Sequence, residues 1–236
     1  MTNGELSAGP RSVGGDVDIA AVGALVADPA RCRILLALAD GRALPANRLA
    51  ADAGVSAATA SSHLGKLTDA GLLVVEARGR YRFYRLAGPE VSDLIEALER
   101  LAPAVPVQSL RQSNRARALR VARMCYDHIA GRLGVELMRV LVERGHLTGD
   151  DYLITEQGAA FLGELGVRIA AGGRPIRYHQ DSSEQRPHIS GALGRGLLDR
   201  LIELGWLRRS DDSRALTVTR AGREGFEATF GIRLDA

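Results

Sequence analysis

The sequence predicts a mainly α protein with small β wings, an α+β chain whose C-terminal half is built twice. Three observations carry that expectation. Between residues 18 and 101, stretches of helical apolar spacing are broken by glycine turns and by one β-prone basic segment. HIAGRLGVELMRVLVERGHL, from His128 to Leu147, returns as HISGALGRGLLDRLIELGWL, from His188 to Leu207, with ten of twenty positions identical. Hydrophobic residues make up 46% of the 236, enough for a core. Yet no apolar run approaches the ~20 residues that span a bilayer, so no membrane partner is expected.

Residues 1–17, beginning MTNGELSAGPRSVGG, lack a basic-then-apolar signal pattern and read as a disordered lead-in. Residues 18–40 have helical spacing, punctuated by Asp28-Pro29. Aspartate at an N-cap followed by proline in the first turn starts a new helix, expected over Pro29–Ala39 and stopped at Asp40-Gly41. A short helix over Pro45–Ala53 follows, then the tight turn Gly54-Val55-Ser56, then a helix capped by Ser56 and running to Ala70. Gly71 ends it. LLVVEARGRYRFYRL, residues 72–86, is a hairpin with its tip at Ala77–Arg80. A last helix spans Pro89–Leu101. APAVPVQSLRQSN reads as a link, and from about Arg115 a further helix begins. The expected division is 18–103, a linker and helix over 104–121, and a duplicated domain over 122–236.

Helix, glycine-containing turn, second helix and basic hairpin is the order of a winged helix-turn-helix. The second helix opens SAATASSHLGKL. Ser56, Thr59, Ser61, Ser62 and His63 are short or polar and followed by Lys66, while Leu64 and Leu67 have the i, i+3 spacing of a core face. Such a helix can enter the major groove, where hydroxyls, imidazole and ammonium meet base edges and phosphates. The hairpin carries Arg78, Arg80, Arg82 and Arg85 against one acid, Glu76, which suits phosphate contacts. The bland reading is a small helical domain with a solvated hairpin. The two features in this order favour double-stranded DNA.

DPARCRILLALADG, GVSAATASSHLGKLTDAGLL and VVEARGRYRFYRL together resemble the ArsR/SmtB family of bacterial winged-helix transcription factors. The resemblance covers residues 18–101. It implies a homodimer built from the first and last helices of this domain, an operator of two half-sites, and repression relieved by a small inducer, often a metal ion. Two departures stand out. The helix before the turn, PANRLAADAG, lacks the cysteines of arsenic- and cadmium-sensing relatives. The last helix, PEVSDLIEALERL, lacks the histidine of the zinc sensors. Cys32, on the helix after Asp28-Pro29, reads as a small core hydrophobe.

In each copy of the duplicated half a strand follows, then Thr-x-x-Gly, then a helix start, YLITEQGAAF after Leu147 and ALTVTRAGREGF after Leu207. Two degenerate winged-helix-like units about a pseudo-two-fold axis are expected. Gly131 and Gly134, like Gly191 and Gly194, are expected on one face of a helix, with His128 and His188 at its N-terminal end. Were those faces to meet, the two histidines would converge; otherwise each satisfies a helix end. Cys125 lies three before His128 in CYDH, expected on the same helical side, with Asp127 adjacent. Upstream of the second copy, YHQDSSEQRPH offers His179, Asp181 and Glu184. Cysteine, histidine and carboxylate here suit a divalent ion such as zinc, a polar pocket for an organic effector, or a redox-sensing thiol. Relatives in the resembled family with a long extension carry CYDH and a Cys-x-Asp-Trp-Ser-Glu-like stretch. His179 and Ser182 stand here where those have Cys and Trp, against a two-cysteine site.

Two cysteines make no disulfide scaffold, so a reduced, cytoplasmic protein is the expectation. No phosphate loop, GxSxG or HExxH occurs, and no enzyme is expected. The sequence therefore points to a dimeric, sequence-specific transcription regulator, a repressor released by a small effector in its second half. The alternative is a constitutive DNA-binding scaffold, or nucleoid-type protein, whose second half only mediates protein contacts.

Overall fold

A computed structural model describes residues 17–103, 106, 108–149, 151–170 and 176–234. The expected lead-in therefore lies outside the described residues, except for Val17. Helix α1 (Ile19–Val26) starts at Asp18, whose carboxylate accepts from the Ala21 amide. Helix α2 (Pro29–Leu38) starts at Asp28, which accepts from the amides of Ala30 and Arg31. Strand β1 (Leu44–Pro45) and helix α3 (Ala46–Ala53) lead to Gly54, left-handed at φ +68°, which turns the chain into α4 (Ala57–Asp69). The wing is β2 (Leu73–Arg78) paired antiparallel with β3 (Tyr81–Leu86), and β1 adds to the other edge of β3. Helix α5 (Pro89–Leu101) closes this winged helix-turn-helix. Its core holds Ile34, Leu35, Leu38, Leu49, Leu64, Leu67 and Leu86.

Helix α6 (Leu110–Val121) begins before the expected Arg115, because Ser109 caps it by accepting from the Gln112 amide. The first copy of the duplicated half is β4 (Arg123–Cys125), β5 (His128–Ala130), α7 (Arg132–Glu143) and α8 (Glu156–Leu165). The second is β6 (Arg177–Gln180), β7 (Pro187–Ser190), α9 (Gly191–Glu203), the hairpin β8 (Leu207–Arg209) and β9 (Leu216–Val218), and α10 (Arg220–Phe230). A single bridge, Leu147 to Ile154, stands in the first copy where β8 and β9 stand in the second. The likeness reaches single atoms. Thr155 and Thr219 each cap the following helix and donate their hydroxyl to the carbonyl of Gly145 or Gly205, at 2.7 Å in both copies. The glycine three residues on is forced in both: a Cβ on Gly158 would lie 2.0 Å from the His146 carbonyl oxygen, and one on Gly222 2.2 Å from that of Trp206.

Two expectations are corrected. CYDH is a β-hairpin rather than a helical turn. Tyr126, at φ +57°, turns the chain, and Cys125 pairs across the strands with His128. Likewise Gly131 precedes α7 as its N-cap, and Gly191 is only the first residue of α9, so neither shares an interior helix face with the glycine three residues on. They have φ of +78° and +71° where each hairpin passes into its helix, a conformation that favours glycine. Gly134 and Gly194 do lie in the helices, where the packing is reciprocal. A Cβ on Gly134 would meet Cβ of His188 at 3.5 Å, and one on Gly194 would meet Cβ of His128 at 3.0 Å. Each copy's helix thus packs on the other's hairpin, as the expected pseudo-two-fold arrangement requires.

The halves join along α5, the α2–β1 turn and α3, where Arg48 lies 3.5 Å from an Asp212 carboxylate oxygen. The Tyr126 amide donates to the Ala39 carbonyl at 2.7 Å, Arg42 donates to the carbonyls of Ser210, Asp211 and Ser213, and Arg214 pairs with Glu99. Among the described residues no helix is long and apolar enough to cross a membrane.

Candidate nucleic-acid interface and metal centre

Ala60, Leu64 and Leu67 seat α4 in the winged-helix core. Its opposite face is exposed and carries Ala58, Ser62, Gly65 and Lys66, with Thr59 and Ser61 on the flanks. Among the described residues, the C-terminal half joins the winged helix at α3, α5 and the α2–β1 turn, and the exposed face of α4 is not part of that junction. Ser56 spends its hydroxyl on the cap, 3.2 Å from the Thr59 amide and 2.9 Å from the Thr59 hydroxyl. His63 departs from the expected set. Its ring turns back into the protein, 3.5 Å from an Arg31 guanidinium nitrogen and 3.9 Å from an Asp28 carboxylate oxygen, and is 13% exposed. Residue 63 lies on the helix side bordering the Leu67 core, so its side chain lies against α2. Gly65 was not anticipated. A Cβ there would meet no atom within 4 Å, so nothing inside the protein requires this glycine.

On the wing, Arg78, Arg80 and Arg82 are all exposed. Arg78 stacks over Phe83 and donates to Glu76, which also accepts from Arg85. Those two guanidinium groups hold the Glu76 carboxyl below its usual range. Arg80 lies over Tyr81. Positive charge free to meet phosphate therefore resides mainly in Arg80 and Arg82.

Three of the protein's five histidines meet where the two copies touch. Nε2 of His128 and Nε2 of His188 are 3.2 Å apart, with the rings stacked at 5.1 Å. The pseudo-symmetry explains this. Cys125 stands opposite His128 in the β4–β5 ladder, and His179 stands opposite His188 in the β6–β7 ladder. Each hairpin presents two donors, and the axis brings the pairs together. Ligand atoms of Cys125, His128, His179 and His188 all lie within 4.8 Å of one another. Nitrogen ligands of a tetrahedral zinc ion stand ~3.3 Å apart, so the His128–His188 contact already matches one edge of such a site.

Behind these residues stand carboxylates. Asp127, an expected ligand, faces away from the cluster. It accepts from the His128 Nδ1 side at 3.2 Å and from Arg195 at 2.8 Å, an arrangement that fixes the imidazole with Nε2 inward. Asp181 lies 3.8 Å from Nδ1 of His188 and accepts from the Gly131 amide and from Arg123. Burial pushes His188 down to about 3, helped by the neighbouring His128, and burial lowers His128 as well. Both rings are neutral near pH 7, the form that ligates metals. Burial raises the Cys125 thiol well above its usual value, reinforced by Glu96, which argues against a freely reactive redox thiol. Burial works to raise Asp181, but Arg123 and the Ser183 and Gly131 donors bring it down to about 2.

Four buried atoms of this region find no hydrogen-bond partner: Nδ1 of His179, Nδ1 of His188, Oε1 of Glu96 and Oδ1 of Asp93. Orphaned buried polar atoms are costly; a cation in the centre would satisfy Nδ1 of His179, whereas Nδ1 of His188 faces Asp181 at 3.8 Å. Glu96, Asp181 and His188 also cluster, but Arg123 lies 3.0 Å from Asp181 and 3.6 Å from Glu96 and already supplies their positive charge. Sequence reading did not find Glu96 or Arg123 as site residues. Glu96 belongs to α5, on the other domain, and nothing in the sequence links it to CYDH. Asp181, offered by the stretch before the second copy, stands behind His188 and is paired with Arg123. The space between the copies, lined by Ile129, Gly134, Leu137, Ile189, Gly194 and Leu197, is about 10 Å³, too small for an organic effector.

Comparison with known proteins matches residues 26–76 to a family model described as a helix-turn-helix domain. Over nearly the whole chain the protein is similar to the uncharacterized HTH-type transcriptional regulator YdfF of Bacillus subtilis (strain 168). The identity is 40% over 223 residues, 92% of this chain and 99% of that protein. The HTH-type transcriptional regulator CmtR of Mycobacterium tuberculosis (strain ATCC 25618 / H37Rv) is 39% identical over 87 residues, 37% of this chain and 73% of that one. The solved structure of HlyU from Vibrio cholerae N16961 covers 35% of this chain and 88% of its own, at 30% identity and a TM-score of 0.33. The solution structure of the cadmium metal-sensor CmtR from Mycobacterium tuberculosis covers 39% of this chain and all of its own, at 38% identity and a TM-score of 0.29.

Proposed function

The chain belongs to the helix-turn-helix transcriptional regulators, as an ArsR-like winged-helix protein with a long C-terminal extension, and from there we propose that it is a homodimeric repressor whose grip on its operator is released when a zinc-type cation enters the Cys125–His128–His179–His188 centre. The observation that carries the proposal is the convergence of four donors, one pair from each copy, three buried and His179 half-buried, with Nδ1 of His179 left without a hydrogen-bond partner. In the DNA complex α4 lies in the major groove, with Ser61, Ser62 and Lys66 at base edges and phosphates and Ser56 and Thr59 holding the helix start. Arg80 and Arg82, with Arg78 as a weaker partner, hold the adjacent backbone. Exposed apolar side chains on α1 and α5, Ile19 and Leu101 among them, support dimerisation through those helices.

The cation supplies charge and a fixed point joining the two hairpins. Cys125 provides sulfur, the three histidines provide nitrogen, and Asp127 and Asp181 orient rings from behind. The second reading, a constitutive DNA-binding protein, is favoured by the closely filled seam between the copies. Titrating zinc into the protein bound to a duplex selected from a random pool separates the two. The repressor reading expects release near one zinc per chain, abolished in His188→Asn. Unchanged DNA affinity with zinc bound would leave a structural staple and reject regulation. In parallel, removing Arg80 and Arg82 is expected to weaken binding on all sequences and lower the salt slope by about one for each phosphate no longer neutralised. An unchanged slope would take the wing off the DNA.

A further inference from the structure

The four donors divide in a way the pseudo-symmetry does not require. His128 and His188 are braced by residues of their own half, Asp127 and Asp181. Cys125 and His179, the symmetry mates, are instead faced by helix α5 of the DNA-binding domain. Sγ of Cys125 lies 3.3 Å from Oε2 of Glu96 and 3.7 Å from the Ser92 hydroxyl. Nδ1 of His179 lies 3.5 Å from the same Glu96 oxygen, and Nε2 lies 3.1 Å from Oδ1 of Asp93. Glu96 is buried, and its second oxygen makes no hydrogen bond and lies 3.6 Å from Arg123. On the same helix, Val91 and Ile95, the latter adjacent to Glu96, are part of the winged-helix core.

We propose that Glu96 is the residue through which filling of the Cys–His centre alters the hold on DNA; the proposal rests on reading that centre as a cation site. The argument is one of competition. Glu96 is placed to take the hydrogen of the Cys125 thiol and faces Nδ1 of His179. A sulfur bound to a cation has no hydrogen to donate, its proton having left to solvent. His179 has two ring nitrogens and three claimants: Asp93, Glu96 and the ion. Asp93 is the nearer carboxylate and stays behind the ring as its orienting partner, so Glu96 is the neighbour that the ion replaces. Filling the centre therefore takes both Cys125 and His179 away from Glu96 and leaves its buried carboxylate without the hydrogen-bond donor that tied it to β4. Helix α5 is then held less firmly against β4 and β6, and the winged-helix core that carries α4 shifts with it. Two sites that bias one element in this manner are coupled reciprocally: zinc weakens DNA binding, and DNA weakens zinc binding by the same factor.

The test uses the full chain, zinc(II) and the selected duplex, with zinc stoichiometry and DNA affinity measured on the same samples. In the wild type, zinc is expected to weaken DNA binding by roughly 5- to 150-fold, the usual span of such couplings. Glu96→Gln keeps the shape of the side chain. It is expected to bind zinc at the same stoichiometry while its DNA affinity changes less than about twofold. A full response in Glu96→Gln overturns the proposal. So does wild type that binds zinc without any change in DNA affinity, which leaves the metal centre standing as a staple. Wild type that takes up no zinc removes the centre itself, and the coupling with it. Should Glu96→Gln lose zinc, amide exchange in the wild type decides: zinc is expected to loosen residues 89–101, and unchanged protection there overturns the coupling.

Discussion

Gly65 is the residue whose placement costs most and returns least within the protein. Glycine inside a helix is less stable than alanine by about 1 kcal/mol, and a methyl group at this position would touch nothing. The return must come from outside, from a surface that approaches the helix backbone between Ser62 and Lys66. Gly65→Ala is therefore expected to stabilise the protein by up to about 1 kcal/mol while weakening DNA binding. Thermal unfolding and an affinity titration check the two halves. A stabilised variant with undiminished DNA affinity would mean that no duplex comes close to α4 at that point. His63 teaches the opposite lesson. A polar residue amid serines on a candidate reading helix is turned inward by Arg31 and Asp28, and the neighbours that decide its direction lie more than thirty positions upstream.

At the scale of elements, the winged helix was legible because its punctuation is local. Asp28-Pro29, Gly54, Ser56 and Gly71 each act within a few residues, and the helices end within a residue of where those signals put them. The duplication was legible too, since identity at ten of twenty positions needs no structure to be seen. The leading hairpins were not. Three-residue strands such as Arg123–Cys125 are too short for alternation to register, and Cys125 and His128 have a spacing that fits a helix equally well. The site survived that error because cross-strand pairing also makes those residues neighbours. Asp127 did not survive as a ligand, since the hairpin turn points it at Arg195. Element packing carries its own prediction. A Cβ on Gly194 would stand 2.7 Å from the Ile189 carbonyl oxygen and 3.0 Å from Cβ of His128. Gly194→Ala is expected to cost about 1–3 kcal/mol, as overpacking in cores does. Denaturant unfolding reads it, and a cost near zero would mean the copies are not in the close contact described.

For the whole molecule, the Cys–His centre ties stability to acidity. His188 has its pKa near 3 in the folded chain against an ordinary 6.5, so between those values the unfolded chain binds the proton that the folded chain refuses. Stability is fully in place above pH 6.5 and is lost as the pH falls toward 3. From about pH 6.5 to 5, where carboxylates are still ionised, a decline in melting temperature is expected from the histidines, and His188→Asn should flatten it. A melting temperature level across that window would contradict the neutral, buried imidazole.

The central claim is that the two halves of an internal duplication complete one cation site beside the DNA-binding domain. Cobalt(II), which takes zinc's place and reports its surroundings by colour, tests it most directly. The intense visible absorption of a four-coordinate ion is expected at one equivalent per chain, together with a sulfur-to-cobalt charge-transfer band that disappears in Cys125→Ser. The pale spectrum of six-coordinate, water-bound cobalt, identical in the wild type and in Cys125→Ser, would contradict it.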